Sequence, residues 1–231
     1  MEKMKIGVVV AIEIDAVCAK YGEPDEICAG RGSTVRLYRE KDFDMYVVDS
    51  GAGEIAAAAG TQMLIDRYGV DMILNFGVVG AVTEDMRTAE LCVVDSIIHY
   101  DFDTTGWLNL ARGQYPGRDS AYIRTDRALL ERAEAINPTI RRAVCASADK
   151  FVDRAEDKTV LREKYGADIC EMEAAGIALT CERNGVPCLL IKAISDCLTG
   201  GGAEFMTELA RVSKICFEVV DELIHGLCAA N

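Results

Sequence analysis

Residues 170 to 196 hold three carboxylates where carboxylates are unusual. Glu171 and Glu173 flank Met172 just before an alanine-rich helical pattern, and Asp196 closes the buried strand Cys188–Ile194 by way of Ser195. An acid at the end of a buried strand is costly to desolvate unless it is paired, hydrogen-bonded or protonated. A protonated carboxyl there is able to give its proton to a leaving group. Glu171 and Glu173 share a face if the segment is extended and point apart if it is helical. A solvated helix start is the plain alternative for that pair. Glu13 and Asp15 follow the apolar run Ile6–Ala11. Taken alone, they fit a helix first turn, where the dipole favours acids. Phe151, in Ser-Ala-Asp-Lys-Phe-Val, ends another strand, a place where an aromatic is ordinarily core.

These groups need elements that bring strand ends together. Ile6–Ala11 reads as a strand buried on both faces. Arg36–Tyr38 and Met45–Val48 read as a hairpin across the charged turn Glu40–Asp44. Gly51 and Gly53 open a turn into a helix over Glu54–Tyr68, with Gly69 as its stop. Met72–Phe76 is a second buried strand, ended by Gly77 and Gly80, and Leu91–Ile98 is another. Asp101–Ser120 is polar, contains Gly and Pro, and reads as a long loop of the kind that often carries function. Then come a helix over Asp126–Ile136, a strand over Ala143–Ser147, a short helix over Thr159–Tyr165 and a short strand over Asp168–Cys170. A helix over Ala174–Arg183 stops at Gly185, with Pro187 beyond. The strand Cys188–Ile194 and a long closing helix, Glu204–Cys228, complete the chain. Strands alternating with helices argue one α/β domain over residues 1–231, with a mostly parallel sheet covered on both faces. Ligands gather at the carboxyl ends of such strands. Asp15, Gly51, Gly77, Phe151, Glu171 and Asp196 all follow strands closely.

Composition narrows the classes. The 231 residues carry a net charge of −13, with 38 acidic against 25 basic side chains. Such a surface repels phosphate backbones, so no nucleic-acid partner is expected. The ten cysteines include no Cys-x-x-Cys pair and no histidine at zinc-ligand spacing, so reduced thiols and no metal are expected. No apolar stretch is long enough for a membrane span, and the first apolar run is too short for a signal peptide. A soluble, cytoplasmic protein is the expectation. Gly51-Ala52-Gly53-Glu54-Ile55-Ala56 formally matches a dinucleotide fingerprint. The strand before it reads as a hairpin partner, however, and the next strand ends in Asn75-Phe76 rather than an acid. A tight strand-to-helix turn is the better reading.

Seven segments occur in one order: Val9-Val10-Ala11-Ile12, Ser50-Gly51-Ala52-Gly53, Asn75-Phe76-Gly77, Tyr100-Asp101 with Gly113-Gln114-Tyr115-Pro116-Gly117, Ser147-Ala148-Asp149-Lys150-Phe151-Val152, Glu171-Met172-Glu173-Ala174 and Ala193-Ile194-Ser195-Asp196. Together they resemble the methylthioadenosine/S-adenosylhomocysteine nucleosidases of the nucleoside phosphorylase superfamily, over nearly the whole chain. The resemblance implies a three-layer α/β/α domain with a mixed, mostly parallel twisted central sheet. It also implies cleavage of the N-glycosidic bond of a purine nucleoside, with no cofactor.

By position, Asp196 would protonate N7 of the purine, with Ser195 beside it. Phe151 would stack on the base and the Val152 backbone would read its edge. Glu173, with Glu171 nearby, would grip the ribose hydroxyls, and Met172 would pack under the sugar. Asp15 falls at the water-activating position, with Glu13 as the alternative two residues earlier. Ile12, Ala52, Trp107, Pro116 and Phe205 would lie near the 5′ substituent. Family members usually dimerise, with part of the long loop reaching the neighbour's site, so a homodimer is implied.

The chain departs from the family pattern at three places. Asp15 replaces a glutamate. Val78 and Val79, before Gly80, replace a Ser-Ala pair. Lys192 replaces an arginine, keeping the charge but not the bidentate fork. Without an arginine or the serine hydroxyl, and with Glu13 and Asp15 close by, a phosphate dianion would be repelled, so water is the expected nucleophile. A purine nucleoside phosphorylase, or a nucleoside-binding protein without turnover, are the alternatives.

Overall fold

Valine- and isoleucine-rich runs become the central strands, because branched side chains pack well on a pleated surface covered on both sides. In the computed structural model, which describes residues 3–30 and 32–229, the elements run β1 (Met4–Val10), α1 (Ile14–Tyr21), β2 (Glu26–Ala29), β3 (Thr34–Arg39), β4 (Phe43–Asp49), α2 (Glu54–Met63), β5 (Met72–Ala81), β6 (Leu91–His99), β7 (Tyr122–Arg124), α3 (Arg127–Ile136), β8 (Arg141–Ser147), α4 (Ala155–Tyr165), β9 (Ile169–Glu171), α5 (Ala174–Asn184), β10 (Cys188–Asp196) and α6 (Gly202–Ala229). A π-helical turn, Leu64–Tyr68, continues α2.

The strand order is β10-β6-β8-β9-β5-β1-β4-β3-β2, with β7 attached to β6 and β10 paired also to β5. Strands β5, β10, β6, β8 and β9 therefore close on themselves as a ring, and β1, β4, β3 and β2 extend from it. β1 pairs in parallel with β4 and β5, and β10 runs parallel to β5. The outer pairs β2–β3, β3–β4 and β6–β7 are antiparallel. Alternate residues of β5 face opposite layers: Leu74, Phe76 and Val78 pack with Val212, Phe217 and Val220 of α6, while Ile73, Val79 and Ala81 face Ala57 of α2 and Ile177 of α5. The result is a mixed sheet between two helical layers, the α/β/α architecture expected.

One boundary is corrected. Gly77 and Gly80 do not end the second central strand; β5 runs through both to Ala81. Its first half pairs with β1, its last residues Gly80 and Ala81 pair with β9, and β10 lies along its other edge. The two glycines serve close approach rather than a turn. A Cβ at Gly77 would lie 2.7 Å from Glu13 Oε1, and one at Gly80 would lie 3.1 Å from Asp196 Oδ2. α4 also begins at Ala155, four residues before the expected start, so it includes Lys158. The short strands β2 and β7 went unforeseen. At the Gly51–Gly53 segment the chain makes a tight turn: Gly53 has φ 101°, and a Cβ there would lie 2.8 Å from Asp149 Oδ1. All ten cysteines are free thiols. Among the described residues, no helix is long and apolar enough to cross a membrane.

Candidate active site

The carboxyl ends of β1, β4, β5, β8, β9 and β10 meet around one cavity of about 160 Å³. Glu13, Val78, Phe151, Glu171, Glu173 and Asp196 all line it, as do Ile12, Ala52, Val79, Gly80, Val152, Met172 and Phe205. Residues from seven separate stretches of chain thus converge where a wound sheet ordinarily holds its ligand.

Glu13 and Asp15 part company. α1 starts at Ile14, so Asp15 lies in its first turn and is exposed, outside the cavity. The expectation that Asp15 faces the ligand is thereby corrected: the helix start turns it toward solvent. Glu13, the last residue before the helix, is buried. Its Oε2 accepts the Ile12 amide and its Oε1 the Val78 amide, each at 3.0 Å. Two backbone donors fix the carboxylate against the cavity floor.

Glu171 and Glu173 turn inward together because Glu171 ends a strand and Glu173 precedes α5. Glu171 accepts the amides of Glu173 (3.1 Å) and Ala174 (2.9 Å), so its carboxylate caps the helix. Lys192, 2% exposed, lies beneath the cavity rather than on its wall, and its Nζ donates to Glu171 at 3.2 Å. Burial works against the Lys192 charge, but Glu171 and Glu173 outweigh it and hold the ammonium above its usual range. Glu173 accepts the Gly53 amide at 2.8 Å. Burial, and then the Glu171 charge, push Glu173 up to about 7, against the pull of Lys192 and the Gly53 amide.

Behind this pair sits a carboxyl that sequence reasoning missed. Ser147 Oγ lies 2.5 Å from an oxygen of Glu54 and 2.5 Å from one of Glu171, and it accepts the Ala175 amide at 3.2 Å. One hydroxyl hydrogen serves one carboxylate, so the other must bring its own proton. Glu171 already has Lys192 and two amides; Glu54 has only the Gly176 amide besides. Glu54 is therefore the protonated member. Burial, and then the Glu171 charge, push it up to about 8. Nothing in the sequence signalled this, because a glutamate at a helix start is ordinarily solvated.

Asp196 is 1% exposed. Its Oδ1 lies 2.8 Å from Ser195 Oγ and its Oδ2 accepts from Lys158 Nζ at 2.5 Å. Ser195 is fully buried and stands behind the cavity wall, bonded to Asp196 and to the Val79 carbonyl. Lys158 was also missed. The signal was present in its spacing to Leu161, since both are buried at one-turn separation on α4.

Phe151 is 45% exposed and meets Phe205 edge-on, ring centroids 5.3 Å apart, at the cavity mouth. Trp107 and Pro116 do not reach this chain's own cavity. Trp107 is 82% exposed. Pro116 lies with Leu179, Glu182 and Arg183 of α5 on the outer surface. The loop runs that way because Phe102 and Tyr115 stack at 3.9 Å and His99 Nδ1 lies 2.7 Å from Tyr115 Oη, which fastens it beside β6.

A profile of the phosphorylase superfamily matches residues 5–225. The chain belongs to that superfamily. Within the phosphorylase superfamily it is similar to the 5′-methylthioadenosine/S-adenosylhomocysteine nucleosidase of Geobacillus thermodenitrificans, with 31% identity over 201 residues and 84% of each chain covered. It is also similar to the aminodeoxyfutalosine nucleosidase of Campylobacter jejuni, with 30% identity over 177 residues, covering 75% of this chain and 76% of that one. Among solved superfamily structures, the Helicobacter pylori 5′-methylthioadenosine/S-adenosylhomocysteine nucleosidase, crystallised as a variant with 5′-methylthioadenosine in its active site, superimposes with a TM-score of 0.91. It is 25% identical, with 97% of this chain and 99% of that one covered. The family likeness read from the sequence motifs holds.

Proposed function

We propose that this superfamily member hydrolyses the N-glycosidic bond of a 5′-thio-substituted adenosine, methylthioadenosine or S-adenosylhomocysteine, releasing adenine. The observation that carries the reading is that Asp196, Glu173 and an amide-anchored Glu13 line the same cavity. The purine stacks on Phe151, its edge on the Val152 backbone, with N7 at Asp196. As the C1′–N9 bond breaks, its electron pair passes to the purine and the Asp196 proton to N7. The sugar gains oxocarbenium character, which nearby carboxylates stabilise. Glu13, in place of the expected Asp15, takes a proton from the attacking water. Glu173 holds the ribose hydroxyls above Met172, while Ile12, Ala52 and Phe205 line the 5′ side.

Water as nucleophile is supported by the cavity wall, which carries four carboxylates and no arginine. A phosphate dianion there meets like charge. The exposure of Trp107 and the outward course of Pro116 support a homodimer in which this loop completes the neighbour's site. Free thiols throughout suit a reducing, cytoplasmic compartment. The single connected sheet supports treating residues 1–231 as one such domain.

A second substrate is favoured by one observation: Ile12 and Phe151 are 46% and 45% exposed, so the mouth is open enough for a longer 5′ substituent. The test is adenine release from methylthioadenosine, S-adenosylhomocysteine and aminodeoxyfutalosine, with and without phosphate. Release without phosphate is expected. Release that requires phosphate makes the protein a phosphorylase. Tight binding of a transition-state-like iminoribitol with no turnover makes it a binding protein.

A further inference from the structure

Lys158 carries a charge that the mechanism above does not use. Its side chain is fully buried (0% exposed), yet it is absent from the cavity wall and lies behind Asp196. Nζ donates to Asp196 Oδ2 at 2.5 Å and to the Cys197 carbonyl at 2.9 Å. A lysine buried without a partner loses its charge, and a carboxylate buried without one gains a proton. Here the two are paired with each other, out of reach of solvent.

The second oxygen of Asp196 is arranged differently. Ser195 Oγ lies 2.8 Å from Oδ1 and 3.1 Å from the Val79 carbonyl oxygen. One hydroxyl hydrogen faces two acceptors. With Asp196 ionised, the hydroxyl donates to Oδ1. With a proton on Oδ1, the hydroxyl swings to Val79. The ammonium stays on Oδ2 in both states, so a proton is loaded and unloaded at Oδ1 without any heavy atom moving.

Resting on the nucleosidase reading of the cavity, we infer that Lys158 is a positioning residue that keeps Asp196 ionised while the cavity is empty, so that the proton given to the purine is taken up from solvent as the nucleoside binds. The balance closes. One solvent proton loads Oδ1 on binding and moves to N7 as C1′–N9 breaks and the bond pair goes to the purine. Water adds to C1′ and yields one proton to Glu13, which returns it to solvent. Asp196 is left as the carboxylate paired with Lys158. Of the other titratable groups nearby, Cys170 crowds the same glycine as Asp196 and Lys158: a Cβ at Gly80 would lie 3.2 Å from its Sγ. Burial pushes that thiol up to about 12, so it stays neutral. Glu204 accepts the Cys197 amide, Asp153 accepts the Gly202 amide, and Glu171 is paired with Lys192. Lys158 alone contacts Asp196 with a positive charge among the described residues.

The experiment is calorimetric titration of the wild-type protein, in buffers of different ionisation enthalpy, with two non-hydrolysable adenosine analogues. One keeps the nitrogen at position 7 and the other has carbon there. Uptake of about one proton is expected with the first and none with the second. Lys158→Met removes the ammonium, so its Asp196 is already protonated when empty. It takes up no proton, and the alkaline limb of its kcat/KM profile moves up by about one pH unit or more. Lys158→Arg restores both wild-type behaviours. Absence of uptake in the wild type, or unchanged uptake in Lys158→Met, overturns the inference. Should Lys158→Met not fold, the wild-type measurement decides alone. If the wild type neither binds nor cleaves any nucleoside, the underlying reading fails as well; if it cleaves them with no uptake, only the role of Lys158 fails.

Discussion

Glu13 Oε1 sits 3.0 Å from the amide of Val78, on a strand 65 residues further along the chain. The contact exists because position 77 has no side chain, and it gives the carboxylate proposed to activate water an address that a residue on the exposed face of α1 cannot share. Glu13→Gln is expected to lower kcat by about 10²–10⁴-fold, the usual contribution of a general base. Asp15→Asn should leave kcat and KM within about twofold, as surface changes generally do. Steady-state adenine release on both variants checks this, and the reverse ranking returns the role to Asp15.

Gly77→Ala tests the same contact from the backbone side. The added Cβ would lie 2.7 Å from Glu13 Oε1 and must push that carboxylate off the Val78 amide. Activity should fall at least tenfold, with a stability loss of about 1–3 kcal/mol from overpacking. Urea unfolding alongside kinetics separates the two effects. Wild-type kcat in a folded Gly77→Ala protein would show that Glu13 does not act from this position.

Asp196→Asn is expected to abolish turnover and also to weaken the fold. It leaves the Lys158 ammonium buried without a countercharge, a defect that typically costs about 3–5 kcal/mol. The double variant Asp196→Asn with Lys158→Met removes both charges and should recover much of that loss while staying inactive. Thermal denaturation of the two proteins side by side is the measurement. Equal melting temperatures would argue that the pair carries no coupling.

Stability should fall as pH rises from mildly acid to mildly alkaline. Glu54 and Glu173 are pushed up to about 8 and about 7 in the folded chain, from an ordinary 4.5. The folded state thus binds more protons than the unfolded state between those limits. Their contribution is complete below the unfolded value and is lost as pH climbs through 7 and then 8. Glu54→Gln keeps a donor toward Ser147 with no proton to lose. It should flatten the decline between pH 6 and 9 by an amount on the order of 2 kcal/mol. Denaturant midpoints across that range decide it, and parallel slopes for the two proteins would refute the assignment.

Much of the fold was legible because strand and helix periods alternate cleanly along the chain. The carboxyl-end cluster followed from that alternation together with Phe151, Glu171, Glu173 and Asp196. What escaped depended on partners far away in sequence. Gly77 and Gly80 look like strand breakers until Glu13 and Asp196 are seen pressing on them. Glu13 and Asp15 are separable only by the residue at which α1 begins. Lys158 and Glu54 belong to types that normally seek water, and only a distant countercharge or a shared proton explains their burial. The course of the Trp107 loop was hidden because it is fixed by His99 and Tyr115, which drew no attention as chemistry.

The ring formed by β5, β10, β6, β8 and β9 has a consequence for synthesis. Its last stave, β10, ends at Asp196, so a nascent chain has neither the closed ring nor the proposed proton donor until β10 has been made. Until then the flanks of β5 and β6 that await β10 stand open as sticky edges. A ribosome stalled before that point presents a client for chaperones, and the site is completed only when β10 joins the sheet.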